Sequence, residues 1–169
     1  LAMYIAERNK GAFHNHFLTF STAPSLEQVV GSNVRERVLN LSRANWGMST
    51  NLEGVFTLLL DTAKEKNVPA DEMPKRLYIV SDMEFDQACS NPNETLFRNI
   101  NIQYERAGYS RPELVFWNVN ARNIHMPITY NDRGVCIVSG CSPTILTSLL
   151  SGEILDAESV MLKTINSSR

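Results

Sequence analysis

Cysteine is scarce in this chain: Cys89, Cys136 and Cys141 are the three among 169 residues. An odd count, in a chain long enough to stabilise itself by burial, argues against a disulfide framework and points to a reducing, cytoplasmic compartment. Long apolar runs are missing too. The stretch from Val55 to Leu60 is interrupted by Thr57 and falls far short of the roughly 20 residues that span a bilayer, so no membrane partner is expected. Blocks of one charge are also absent, with 16 Lys and Arg against 18 Asp and Glu spread along the whole length for a net charge of −2. Nucleic acid is therefore not an expected partner, because phosphate binding needs a concentrated basic face. Neither phosphate-binding glycine signature occurs, Gly-x-Gly-x-x-Gly or Gly-x-x-x-x-Gly-Lys-Ser/Thr, which argues against a nucleotide enzyme. Internal repeats, low-complexity stretches and linkers are lacking as well.

What is present is enough apolar residue, 43%, for one core, and residues 1–169 are read as a single domain. Four short runs rich in branched and aromatic residues read as buried strands: Phe17 to Ser21, Leu77 to Ser81, Leu114 to Asn118 and Val135 to Ser139. Near-continuous hydrophobicity marks a parallel sheet covered on both faces. A fifth run, Leu26 to Val30, alternates more and follows the turn Thr22-Ala23-Pro24-Ser25, so it reads as an antiparallel edge strand hairpinned to the first. Between the strands lie helical patterns. The clearest spans Asn51 to about Lys66, with Leu52, Val55, Phe56, Leu59 and Ala63 on one stripe and Thr50 to Glu53 as a capping box. Another follows Asn93, turns Leu96, Phe97, Ile100 and Tyr104 inward and stops at Gly108; further helices are expected after Ser142-Pro143 and after Asp156. The opening Leu1 to Glu7 is already helix-like and carries no capping residue, as though cut from something longer. The expected fold is α/β, a three-layer sandwich around a mostly parallel sheet.

In such a sheet ligands bind at the carboxyl ends of the strands, near the point where strand order reverses. Asp82 directly follows one strand, and Ser81-Asp82-Met83-Glu84-Phe85-Asp86 puts three carboxylates into one short loop. Oxygen ligands of this kind suit magnesium, calcium or manganese, although an aspartate there also serves as a helix or turn cap. Trp46-Gly47-Met48-Ser49-Thr50-Asn51 brings two hydroxyls to a helix start, where Ser and Thr are routine caps and only sometimes ligands. His14 and His16 form a pair just before a strand, with no third His or Cys at a zinc-like spacing, and read as loop residues. Cys136 and Cys141 read as small apolar fillers, since the sequence points to no neighbouring base that would activate a thiol. Trp117 reads as a core aromatic, with the lining of a ligand groove as the other possibility.

Several segments together, in order over nearly the whole chain, carry a resemblance: Phe17-Leu18-Thr19-Phe20-Ser21, Trp46 to Asn51, Val80-Ser81-Asp82-Met83-Glu84-Phe85-Asp86, Ala107-Gly108-Tyr109 with Pro112, Val115-Phe116-Trp117-Asn118-Val119, and Gly134 to Gly140. They resemble an uncharacterised family of bacterial, phage, viral and plant proteins whose C-terminal half looks like a von Willebrand factor A domain. The resemblance implies a Rossmann-like sheet ordered 3-2-1-4-5-6 with a metal-ion-dependent adhesion site on its carboxyl edge. In that site an Asp-x-Ser-x-Ser loop after the first strand, a threonine from a second loop and an aspartate after the fourth strand hold a divalent cation. Thr50 matches the threonine and Asp82 the aspartate, with Ser49 and Asp86 as possible support. The Asp-x-Ser-x-Ser loop has no match in this chain, so the first strand is read as missing and the adhesion site as partial. A divalent cation (Mg, Mn or Ca) is expected in the complete protein and weakly or not at all here.

These readings favour a protein-binding module, not an enzyme, whose cation accepts a carboxylate from a partner protein. The alternative is a divalent-metal-dependent phosphoryl-transfer or hydrolytic enzyme using Asp82, Glu84 and Asp86, which requires at least two of those side chains to converge. Association with RNA, suggested by a related domain in the Ro RNA-binding protein, is opposed by the acidic balance. A missing central strand between Phe17 to Ser21 and Leu77 to Ser81 leaves a slot that upstream chain or a strand from another molecule is expected to fill, by strand exchange or dimerisation.

Overall fold

A computed structural model describes residues 2–19, 23–44, 47, 51–81, 94–118 and 135–139. Helix α1 is Ala2–Ala6, strands β1 and β2 are His16–Thr19 and Ser25–Gln28, and helices α2 and α3 are Val34–Ser42 and Leu52–Glu65. Strand β3 is Arg76–Ser81, helix α4 Glu94–Arg106, and strands β4 and β5 are Glu113–Asn118 and Val135–Ser139. Strands β1 and β2 form an antiparallel hairpin with Phe17 opposite Glu27, while β3, β4 and β5 form a parallel sheet in that order. All five expected strands are present, and the alternating one is the hairpin partner. Among the described residues β1 and β3 are not paired with each other. The helices expected after Ser142 and Asp156 lie outside the described residues.

The main core forms around α3, whose Leu52, Val55, Phe56, Leu59, Leu60 and Ala63 are buried. All but Val55 pack with Phe97, Ile100 and Tyr104 of α4 and with Ile79, Leu114 and Phe116 of the sheet. A 3.6-residue period puts these α3 positions on one stripe, which is why the helix can serve as the centre of the core. Val115 and Trp117 of β4 are buried on the other face of the sheet, at 3% and 1% exposure, so β4 is covered on both sides and its unbroken apolar run is explained. Where Tyr104 crosses α3 its hydroxyl donates to the Phe56 carbonyl at 2.9 Å, and its ring meets that of Phe56 edge-on with centroids 6.1 Å apart. Burial pushes the Tyr104 phenol well above its ordinary pKa, so the group stays a neutral donor. Helix α4 ends as expected, with Gly108 at φ 79°, a conformation that glycine adopts without a Cβ penalty.

Two features differ from the sequence reading. The cap of α3 is Asn51, whose side chain accepts from the Gly54 amide at 2.9 Å, so the start of the helix does not need a Thr50–Glu53 box. Helix α2 was not anticipated, because none of its residues is buried and an apolar stripe facing a core is the main signal for a helix. Its start is instead specified by polar groups. Asn33 Oδ1 accepts from the Glu36 amide at 3.0 Å, while the Glu36 carboxylate accepts from the Ser32 amide and hydroxyl and from Asn33 Nδ2.

Candidate functional site

The carboxyl edge of the parallel sheet is defined by register. Ser81 of β3 pairs with Asn118 of β4, and Asn118 with Ser139 of β5, one step beyond the row Val80, Trp117 and Val138. The three strands thus each end on a polar residue at the same level. Alternation puts Asn118 on the same face as Leu114 and Phe116, the face that packs against α3 and α4. Asn118 is nevertheless 4% exposed, one of two buried polar residues among those described, the other being Thr19.

The start of α3 lies at this same edge, for reasons of length and connection. Helix α3 leads into β3 through residues 66–75, and that connection is held at the amino edge. The Tyr109 hydroxyl donates to the Val68 carbonyl at 2.8 Å, and the Glu113 amide at the start of β4 donates to the Lys75 carbonyl at 2.9 Å. A helix of 14 residues rises about 21 Å, and a strand of six covers about 20 Å. Because the helix packs along the sheet, its first turn and the last residue of β3 arrive at the same end. Asn51, capping α3, and Ser81, closing β3, are therefore both carboxyl-edge residues.

Thr50 precedes Asn51 and Asp82 follows Ser81; both, with Ser49, Glu84 and Asp86, lie outside the described residues. Cys89 and Cys141 also lie outside the described residues, and Cys136 is a residue of β5. His14 and His16 each direct Nδ1–H to a backbone carbonyl, of Asn9 and His14 respectively, both at 2.7 Å. Among the described residues no group of three or more His, Cys, Asp or Glu could hold a metal ion. The donors that the sequence assigns to the carboxyl edge are hydroxyl and carboxylate oxygens, a set that fits a hard divalent cation rather than zinc. Asn118 was not weighed in the sequence reading, although it is a lone polar residue ending a strand that is otherwise apolar from Leu114 onward.

Comparison with known proteins adds a family and one relative. The family described as "Domain of unknown function (DUF7788)" matches residues 1–168. A protein of Acanthamoeba polyphaga mimivirus, "Uncharacterized protein L728", is 33% identical over 163 residues, which is 96% of this chain and 28% of the viral protein. The chain thus spans little more than a quarter of that relative's length. No solved structure matches the chain. No helix among the described residues is long and apolar enough to cross a membrane.

Proposed function

The chain belongs to the DUF7788 family, and we propose that it is a protein-binding module of von Willebrand factor A type, a three-layer α/β sandwich with a partial metal-ion-dependent adhesion site. In this reading the carboxyl edge presents a divalent cation held by the Thr50 hydroxyl and the Asp82 carboxylate, with Ser49 and Asp86 in support. The cation's open position takes a carboxylate from a partner protein in a reducing, cytoplasmic setting. The observation that carries the proposal is that β3, β4 and β5 end in register on Ser81, Asn118 and Ser139 at one edge of a parallel sheet, the edge at which such sheets bind ligands. With two protein ligands and no Asp-x-Ser-x-Ser loop, most of the coordination shell is left to water, so affinity is weak, roughly millimolar.

Titrating Mn2+ into the 169-residue chain while following the resonance of the free ion tests this. The expected result is weak binding that Asp82→Ala abolishes and Thr50→Ala reduces. Micromolar binding that survives Asp82→Ala contradicts the proposal. A metal-dependent phosphatase activity lost in Glu84→Gln or Asp86→Asn would replace it with the hydrolytic reading.

A further inference from the structure

We infer that the solvent face of α2 is a docking surface for an acidic amphipathic helix of a partner protein, which lays its aliphatic stripe on Val34, Val38 and Leu39 and its carboxylates against Arg35 and Arg43. None of these residues belongs to the proposed cation site, and the inference does not depend on it. Helix geometry sets the surface out. Residues four apart are neighbours, so Val34, Val38 and Ser42 form one row and Arg35, Leu39 and Arg43 the next, and all six are exposed. Val34, Val38 and Leu39 are 66%, 52% and 48% exposed, so the helix presents three aliphatic side chains to one side, where single scattered ones would need no explanation. The described contacts of α2 lie on its other side: Arg37 on Glu7, Asn40 on the Val30 amide, and Leu41 against the small cluster of α1 and β1. Valine is also a poor residue for an exposed helix position, since its branched Cβ loses rotamer freedom against the preceding turn. A local preference broken twice, at positions one turn apart, marks a place where something other than the fold sets the sequence.

Charge identifies the occupant. Arg35 and Arg43 flank Leu39 by one turn on each side, and neither forms an ion pair among the described residues. The acid on the same helix, Glu36, is held in the cap by the Ser32 amide and hydroxyl and by Asn33 Nδ2, and Glu7 is taken by Arg37. The face is thus aliphatic with cationic flanks, and its complement is aliphatic with anionic flanks. A helix fits because rows spaced at i and i+4 offer the ridges and grooves that a second helix packs against. A second copy of the chain does not fit, since a twofold contact is made by the same patch on both subunits and would set arginine against arginine. An anionic membrane fits less well, because helices that lie on membranes use more cations and larger apolar side chains than these valines.

The probe is a fluorescein-labelled helical peptide with leucine along one stripe and glutamate beside it, followed by fluorescence anisotropy, with a control peptide that carries lysine in place of every glutamate. The expected result is that wild type binds the glutamate peptide alone, with amide shifts of the chain concentrated in Val34 to Arg43. Arg35→Glu combined with Arg43→Glu should lose roughly tenfold or more of that affinity and gain binding of the lysine peptide. Val34→Ala combined with Val38→Ala should weaken the glutamate peptide severalfold without lowering the unfolding temperature, because alanine favours the helix. Should the charge reversal not fold, the alanine variant decides alone. Equal binding of both peptides by wild type, no binding of the glutamate peptide, or amide shifts outside α2 would overturn the inference. A dimer in sedimentation that the alanine variant dissociates would make the occupant a second copy and overturn it too, as would binding to phosphatidylserine vesicles in place of the peptide.

Discussion

The part of the molecule built on α3, α4 and the parallel sheet and the part built on α1, the hairpin and α2 are held together by different forces. In the first, Val55, Ala63 and Leu114 are fully buried and Phe56, Ile100 and Tyr104 nearly so. In the second the buried apolar residues are Ala6, Phe17 and Val29, with Met3, Leu41 and Ala44 against them. No residue of α2 is fully buried, Leu41 alone of its side chains packs against that cluster, and Val30, Val34 and Val38 stand more than half exposed. What fixes it is polar: the Asn33 cap, the Arg37–Glu7 ion pair to the end of α1, Arg37 Nε donating to the Gly31 carbonyl, and the Val30 amide donating to Asn40 Oδ1. Gly31 itself is required, since at φ 147° a Cβ there would lie 2.8 Å from the Arg37 backbone nitrogen. The contrast teaches that the edge carrying the candidate site is backed by the stiffer part, as a preorganised site requires, while α2 can open without disturbing it.

The strongest way to break this comparison is Phe56→Ala. It removes the ring that Tyr104 packs against and leaves a cavity beneath α3, and a loss of about 3–5 kcal/mol in urea unfolding is expected. A loss below about 1 kcal/mol would show that the α3 core is not the main source of stability. Asn33→Ala removes the α2 cap and should cost about 1 kcal/mol, confined to that helix. Amide exchange should accelerate in α2 and stay unchanged in α3, and equal acceleration in both would erase the distinction.

The smallest effect concerns acid. Hydrogen bonds to the Glu36 carboxylate, led by the Ser32 amide and followed by the Ser32 hydroxyl and the Asn33 side chain, hold its pKa below the ordinary value. A depressed folded-state pKa stabilises above the unfolded carboxylate range, and that contribution is lost as pH falls through the folded value. Protection factors in α2, which correct for the intrinsic slowing of amide exchange in acid, should therefore fall as pH drops through that range in wild type, and respond less in Glu36→Gln. An identical pH response in the two proteins would remove Glu36 from the account.

Legibility in the sequence followed the same division. Strands β3, β4 and β5 and helices α3 and α4 were readable because burial on one or both faces forces an apolar period or an apolar run, and the inward residues Phe97, Ile100 and Tyr104 were identified individually. Helix α2 escaped because its start is written in Ser32, Asn33 and Glu36 rather than in hydrophobic spacing, although Asn33 followed three residues later by Glu36 is itself a helix-start signature. The cap of α3 was placed one residue early for a related reason: Thr50 and Asn51 both have capping side chains, and local sequence does not choose between them. Of the candidate site, the polar ends of β3, β4 and β5 were legible as the last residues of their apolar runs, while their alignment in one row became visible only with the register.

The central claim is that one ion at the carboxyl edge is shared by Thr50 and Asp82. Paramagnetic broadening of backbone amide signals by millimolar Mn2+ tests it most directly, because the effect falls steeply with distance from the ion. The account predicts that the amides of Thr50, Asn51, Ser81 and Asp82 broaden together at low Mn2+, before those of α2 or of Arg76 at the far end of β3, and that Asp82→Ala removes the effect at all four. Broadening centred on the Asp82 side alone, with Thr50 and Asn51 unaffected, would contradict it.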